Sequence, residues 1–207
     1  TALAEHTSGS IEKFALLMNK KAKEIGMLNS SFANPHGHDD ENHYSTAYDM
    51  ALLTKYAIKN NKFKEIVSTK QKIIKEADNE KYKYLTNHNK LLSMYEWCKG
   101  VKTGFTKKSG RCLVSYAEKS SVKLIAITLD APDDWNDHIG LYEQYFDKHK
   151  RYKLIDTNDY ICSVNVENAK EKIVALVPPK KAGVFRSVVN IKLIAKVDLP
   201  VPDKPPK

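Results

Sequence analysis

Two nearly unbroken apolar runs, residues 111–117 and 122–129, follow each other across a short polar break and constrain the fold of this chain more than any other feature. An alternating run can leave one face to water. A continuous one must be covered on both faces, which suits central strands of a sheet flanked by helices. Residues 99–105 precede them as a third strand-like run, and only short connections separate the three. The spacing therefore predicts three consecutive antiparallel strands, the first bordering a cleft and the other two deeper in the sheet. If the first folds back through residues 106–108, Lys102 faces roughly Cys112, and Cys98 lies nearest Tyr116. Four residues of offset is ~13 Å along a strand, too far for a disulfide. Cys98, Cys112 and Cys162 thus read as reduced, buried thiols, not as a disulfide framework.

Helical periodicity surrounds this unit. Thr1 to His6 reads as the end of a helix. Phe14, Leu17, Met18, Ala22 and Ile25 recur at three- and four-residue intervals over residues 11–25, with Gly26 at the left-handed cap position. Residues 29–44 are polar, with Pro35 and Gly37, and read as loop. Ser45 or Thr46 caps a second helix whose inner face is Ala47, Met50, Ala51, Thr54 and Ile58. Asn60-Asn61 ends it, and residues 63–67 offer one more turn. Ile73-Ile74 and residues 82–85 are short extended pieces. Asp133 or Asp134 caps a third helix with Trp135, Ile139, Tyr142 and Phe146 on one stripe. Beyond Arg151 the runs at 160–166, 173–177 and 188–197 are short strands split by Pro178-Pro179 and Ala182-Gly183. They suggest a small all-β unit over residues 153–207, after a first domain at 1–152.

The 207 residues suffice for one large or two modest domains, and no run of about 18 apolar residues could cross a bilayer as a helix. The formal net charge of +9 is carried mostly by dispersed lysines. No basic stripe carries interleaved aromatics, so the charge reads as a solvated surface and not as a nucleic-acid interface.

The chemistry concentrates in Val101-Lys102-Thr103-Gly104-Phe105-Thr106 and in Ser8-Gly9-Ser10. Lys102 on a strand beside a cleft offers a fixed cation for a carboxylate, and Thr103 a hydroxyl for the same anion. A side chain at Gly104 would keep a ligand from lying against the strand, whose edge can pair with an extended peptide. The bland alternative is that Gly100 and Gly104 mark strand ends, and that Ser8-Gly9-Ser10 is a helix N-cap. Two Ser-x-x-Lys matches, Ser10 to Lys13 and Ser120 to Lys123, are read as chance: the first overlaps the serine turn and the second lies in a hairpin. His36, His38 and His43 crowd with Asp39, Asp40 and Glu41. Their spacing fits neither a helical histidine pair nor a Cys/His zinc pattern, so a solvated loop is the reading and no metal or other cofactor is expected. His88, between Asn87 and Asn89, reads as a hydrogen-bonded structural residue.

Taken together, these stretches resemble the low-molecular-mass penicillin-binding proteins, the serine-type D-alanyl-D-alanine carboxypeptidases, with the clostridial and bacillar branch nearest. The residues that carry the resemblance are Ala2-Leu3-Ala4-Glu5-His6 into Ser8-Gly9-Ser10, Asn34-Pro35-His36-Gly37, His43-Tyr44-Ser45-Thr46-Ala47-Tyr48-Asp49-Met50, Asn87-His88-Asn89-Lys90-Leu91-Leu92, residues 100–106, and Gly110-Arg111-Cys112-Leu113-Val114. His38 stands where the family loop usually has Leu. The resemblance implies an α+β fold of the β-lactamase/transpeptidase type, an antiparallel sheet flanked by helices, with a small C-terminal all-β domain. It implies acyl transfer: a nucleophilic serine attacks the carbonyl between two terminal D-alanines of a peptidoglycan stem peptide, and water releases the acyl-enzyme. Residue by residue, Ser8 matches the proton-relay serine of the second motif and Ser10 its third position. Lys102 and Thr103 match the residues that hold the substrate carboxylate, beside Gly104, and the N–H of Phe105 matches half of the oxyanion hole.

The family's Ser-x-x-Lys lies some tens of residues before the position of Ser8. The expectation is therefore an internal or processed segment of a longer exported protein, cell-wall or membrane associated, whose missing N-terminal segment is its natural partner. Such a segment is inactive alone and binds β-lactams only when the nucleophile is present. The alternatives are a non-catalytic module that binds peptidoglycan peptides, or a β-lactamase or D,D-endopeptidase of the same fold.

Overall fold

The computed structural model describes residues 1–76 and 81–149, together with the backbone of three later strands. Helices α1 (Ala2–Ser8) and α2 (Ile11–Glu24) come first, then α3 (Ala47–Ala57) and α4 (Asn61–Ser68). A hairpin of β1 (Gln71–Lys75) and β2 (Tyr82–Thr86) follows, then the short α5 (Leu91–Met94). Strands β3 (Cys98–Thr106), β4 (Gly110–Lys119) and β5 (Val122–Leu129) lead into α6 (Asp134–Lys148). The later strands are β6 (Cys162–Asn165), β7 (Ile173–Leu176) and β8 (Leu193–Val197). The class is α+β.

The expected three-strand unit is present, in the sheet order β3-β4-β5-β8, with β3 on the edge. Both faces of β4 and β5 are covered, as their continuous apolar character requires. On one face Leu113, Ala117, Leu124 and Ala126 pack with Leu91, Tyr142 and Phe146. On the other, Val114, Tyr116, Ile125 and Ile127 pack with Ala47 and Ala51 of α3.

The register differs from the expected one by two residues. Lys102 faces Val114, and Cys112 faces Gly104. The turn comprises residues 107–109, one position later than expected, because Thr106 still pairs with Gly110. There Thr106 Oγ1 accepts the Ser109 N–H at 2.9 Å, and Gly110 closes the turn at φ 62°. Cys98 faces Ala117 past a bulge, so it remains far from Cys112, and both are free thiols. The Cys162 side chain lies outside the described residues.

The helix ends follow their caps. Ser10 Oγ accepts the Lys13 N–H at the start of α2, and Thr46 Oγ1 accepts the Asp49 N–H at the start of α3. Asn60, expected only to end α3, also caps α4 by accepting from Lys62 and Phe63, so the single expected turn becomes an eight-residue helix. In α6 the stripe is shifted: Asp134, His138, Tyr142 and Phe146 are buried, with Trp135 and Ile139 on its flank. Asp133 occupies the N-cap position without a side-chain cap bond, and its carboxylate takes Asn136 instead.

β6 and β7 pair antiparallel, as short strands of the expected C-terminal unit would. β8, grouped with them in the sequence reading, instead pairs in parallel with β5 and joins the main sheet. The boundary at 152/153 and the rest of that unit lie outside the described residues.

Candidate functional site

Lys102, Thr103, Gly104 and Phe105 lie on β3, whose outer edge no described strand pairs. Cross-strand partners share a face. Lys102 and Gly104, opposite Val114 and Cys112, therefore lie on the α3 side of the sheet. Lys102 and Gly104 are exposed, Thr103 is half-buried, and Phe105 is 71% exposed. The Lys102 ammonium donates to the carbonyl of Thr103.

The two glycines of this strand differ in what requires them. Gly100 sits at φ 130°, and a Cβ there would lie 2.8 Å from Val67 Cγ2 of α4. Helix packing and backbone both demand glycine at that position. At Gly104 an added Cβ would meet nothing nearer than Cys112 Cβ at 3.7 Å, an ordinary contact. The interior gives Gly104 no reason to lack a side chain.

The turn after β3 is tied to the polar loop. Asp39 Oδ1 accepts from Thr106 Oγ1 at 2.9 Å and from Ser109 Oγ at 3.4 Å. The loop is held by Asn34, which accepts the Gly37 N–H and donates to the His38 carbonyl, and by a bridge between Ser31 and Tyr44. Sequence reasoning missed Asp39, because a bond spanning 67 residues leaves no local pattern. The three loop histidines act locally: His36 Nδ1 accepts the His38 N–H, and His43 Nδ1 accepts the Ala33 N–H.

Ser8 is the last residue of α1, its hydroxyl near the Ala4 and Ser10 carbonyls at 2.9 and 3.1 Å. Gly9 takes the left-handed C-cap at φ 85° and turns the chain directly into α2. Among the described residues, no hydrogen bond or ion pair joins Ser8 or Ser10 to Lys102.

Both Ser-x-x-Lys matches have structural uses. Ser10 caps α2. Ser120 and Ser121 form the β4–β5 turn at φ 49° and 65°, with Lys123 3.8 Å from Glu118. Neither places its lysine ammonium on its serine hydroxyl, as an activated nucleophile needs.

A buried polar group lies under the sheet. His138 Nδ1 meets Ser115 Oγ at 2.6 Å, Nε2 meets Thr128 Oγ1 at 3.1 Å, and the Tyr142 hydroxyl also meets Ser115. Burial lowers the His138 pKa to about 4, with Asp137 opposing. The ring is neutral and bridges sheet to helix from a site closed to solvent.

Comparison with known proteins follows the same residues. The family model for D-alanyl-D-alanine carboxypeptidase, peptidase S11, matches residues 1–133. The chain is 36% identical over 178 residues to the D-alanyl-D-alanine carboxypeptidase DacF of Bacillus subtilis, which covers 84% of this chain and 46% of that protein. Among solved structures it resembles penicillin binding protein 5 from Haemophilus influenzae, with a TM-score of 0.63 and 28% identity over 86% of this chain and 52% of that one. A mutant of a Streptomyces DD-transpeptidase gives the same TM-score and identity, over 66% of this chain and 55% of that one. The chain spans about half the length of these proteins. With the family model matched from α1 through the three-strand unit, this chain belongs to the D-alanyl-D-alanine carboxypeptidase family of low-molecular-mass penicillin-binding proteins.

Proposed function

We propose that this chain carries the carboxylate-holding part of a serine-type D-alanyl-D-alanine carboxypeptidase acting outside the cytoplasm on peptidoglycan stem peptides. The observation that carries the reading is Gly104, a glycine on an exposed strand edge that the interior does not require. A peptide lying against β3 does require it. Lys102 and Thr103 hold the terminal carboxylate. The Lys102 ammonium now rests on a neutral carbonyl, and a carboxylate is the stronger acceptor because the bond is charge-assisted at both ends. The Phe105 N–H supplies half of the oxyanion hole, Ser8 relays protons, and Ser10 fixes the turn that presents it.

The attacking serine comes from outside these 207 residues, because both internal Ser-x-x-Lys matches are committed to a cap and a turn. The isolated chain accordingly forms no penicilloyl adduct and does not turn over substrate. Joined to its nucleophile-bearing segment, it would bind β-lactams.

The test is the affinity of a peptide ending in D-Ala-D-Ala, measured by calorimetry for the chain and for Lys102→Ala and Gly104→Ala. Each variant is expected to lose about tenfold in affinity, the equivalent of ~1.4 kcal/mol. Neither should lower the melting temperature, since both positions are exposed. Wild-type affinity in both variants refutes the assignment. Intact mass after benzylpenicillin treatment checks the second claim: an adduct on Ser10 or Ser120 overturns it.

A further inference from the structure

The two halves of the proposed site belong to different parts of the molecule. Ser8-Gly9-Ser10 joins α1 to α2, and among the described residues neither helix contributes to the apolar clusters that cover the main sheet. The Lys-Thr-Gly strand is the edge of that sheet. Packing over the sheet therefore does not set where the serine turn lies relative to β3.

The polar loop between α2 and α3 spans the distance. Its root is bonded to both helices. Asn19 of α2 donates through Nδ2 to the Phe32 carbonyl and accepts the Phe32 N–H at Oδ1, both at 2.8 Å. Asp49 Oδ2 of α3 accepts the Asn29 N–H at 2.8 Å and the Ser30 hydroxyl at 2.7 Å. Lys21 of α2 also lies over the Tyr56 ring of α3, so the two helices meet at this root. From there Asn34, only 8% exposed, holds the Gly37 N–H and the His38 carbonyl, which fixes the backbone directly before Asp39. Asp39 then reaches the end of β3. Among the described residues, the loop's hydrogen bonds to the β3–β4 turn both end on Asp39 Oδ1.

Thr106 is the joint. Its hydroxyl donates to Asp39 and accepts the Ser109 N–H, so one side chain ties the loop to the strand and shapes the turn. Phe105 directly precedes it on a strand whose outer edge no described strand pairs. We propose that Asp39 is a positioning residue, clamping the end of β3 to the frame of α2 and α3 and so fixing the Phe105 N–H relative to the serine turn. This rests on the oxyanion-hole role given to Phe105 above. Such a donor works only at about 2.7–3.1 Å from the charge it stabilises. A misplacement of ~1 Å by a distant group is enough to forfeit much of that.

The experiment measures residual dipolar couplings of the 207-residue chain in a dilute aligning medium, together with the affinity of a D-Ala-D-Ala peptide. In Asp39→Ala the couplings of residues 103–106 should no longer fit the alignment frame of α2 and α3, and peptide affinity should fall about fivefold. The melting temperature should hardly change, because Asp39 and Ser109 are exposed and the bonds between them and Thr106 lie at the surface. Asp39→Asn keeps the accepting oxygen and should restore both readouts, as a purely charge-based effect would not. Thr106→Val should reproduce Asp39→Ala, and Thr106→Ser should behave as the native sequence. Asp40→Ala removes the neighbouring carboxylate, which accepts the Asn42 N–H at 2.8 Å, and should leave both readouts unchanged. Native couplings in Asp39→Ala or Thr106→Val overturn the clamp. Altered couplings with native affinity overturn its role in the site, and failure of Asp39→Asn to rescue overturns the hydroxyl bonds as its cause. If the native sequence binds no peptide, the carboxypeptidase reading fails, and the couplings alone decide whether the Asp39 clamp stands.

Discussion

His138 should make this protein acid-sensitive through a single buried ring. The ring is fully buried between Ser115, Thr128 and Tyr142, all neutral partners, with Asp137 beside it on the same helix. Burial holds its pKa at about 4, below the ordinary 6.5, so the unfolded chain takes up a proton more readily than the folded one. Stability contributed by the neutral ring is present above the unfolded value and is lost as pH falls from about 6.5 toward 4. Between about pH 7 and pH 4.5 the linkage relation gives a loss of about 2 kcal/mol from this group alone. The other histidines and the carboxylates titrate too, so the measurement must be a difference. Urea unfolding of the native sequence and of His138→Gln, compared at both pH values, isolates it. The glutamine keeps a hydrogen-bonding group between Ser115 and Thr128 but cannot take a proton. It should be less stable than histidine at neutral pH and lose about 2 kcal/mol less on acidification. Parallel pH profiles for the two proteins would refute the reasoning, because they would mean that the ring is protonated or solvated in the folded state.

Other expectations follow from single contacts. Arg111 pairs with the buried carboxylate of Asp134 at 2.6 Å while lying over Trp135. Arg111→Met should cost about 2 kcal/mol, less than a fully buried pair because the arginine is half-exposed, and Asp134→Asn should recover part of it in thermal unfolding. Gly100→Ala should lower the melting temperature through both its φ of 130° and its clash with Val67. Adding Val67→Ala should restore only the steric share, and full rescue would show that the backbone angle carries no strain. Cys98 is buried, and burial raises its thiol pKa, whereas Cys112 is partly exposed. Iodoacetamide on the native chain should therefore label Cys112 well before Cys98, which peptide mapping can read.

What the sequence determined by itself was everything set by neighbours along the chain. The continuous apolar runs of β4 and β5 required cover on both faces, and the helices and the sheet supply it. Gly26 at φ 89°, Thr46 and Ser10 ended or began helices where short-range bonding put them. The Lys-Thr-Gly strand was legible for the same reason, since its residues are contiguous. Tertiary structure decided what depends on distant partners. The turn at residues 107–109 and the bulge after Cys98 set which face Lys102 shares with Val114, and each hinges on a backbone detail that periodicity averages away. His138 displaced the expected apolar stripe of α6 because Ser115 and Thr128, on two different strands, give its ring nitrogens partners. β8 joined β5 in parallel, a pairing with no turn to announce it. Gly100 and Gly104 look alike in the sequence. Only the position of Val67, more than thirty residues earlier in the chain, makes one of them a packing requirement and leaves the other free to serve a ligand.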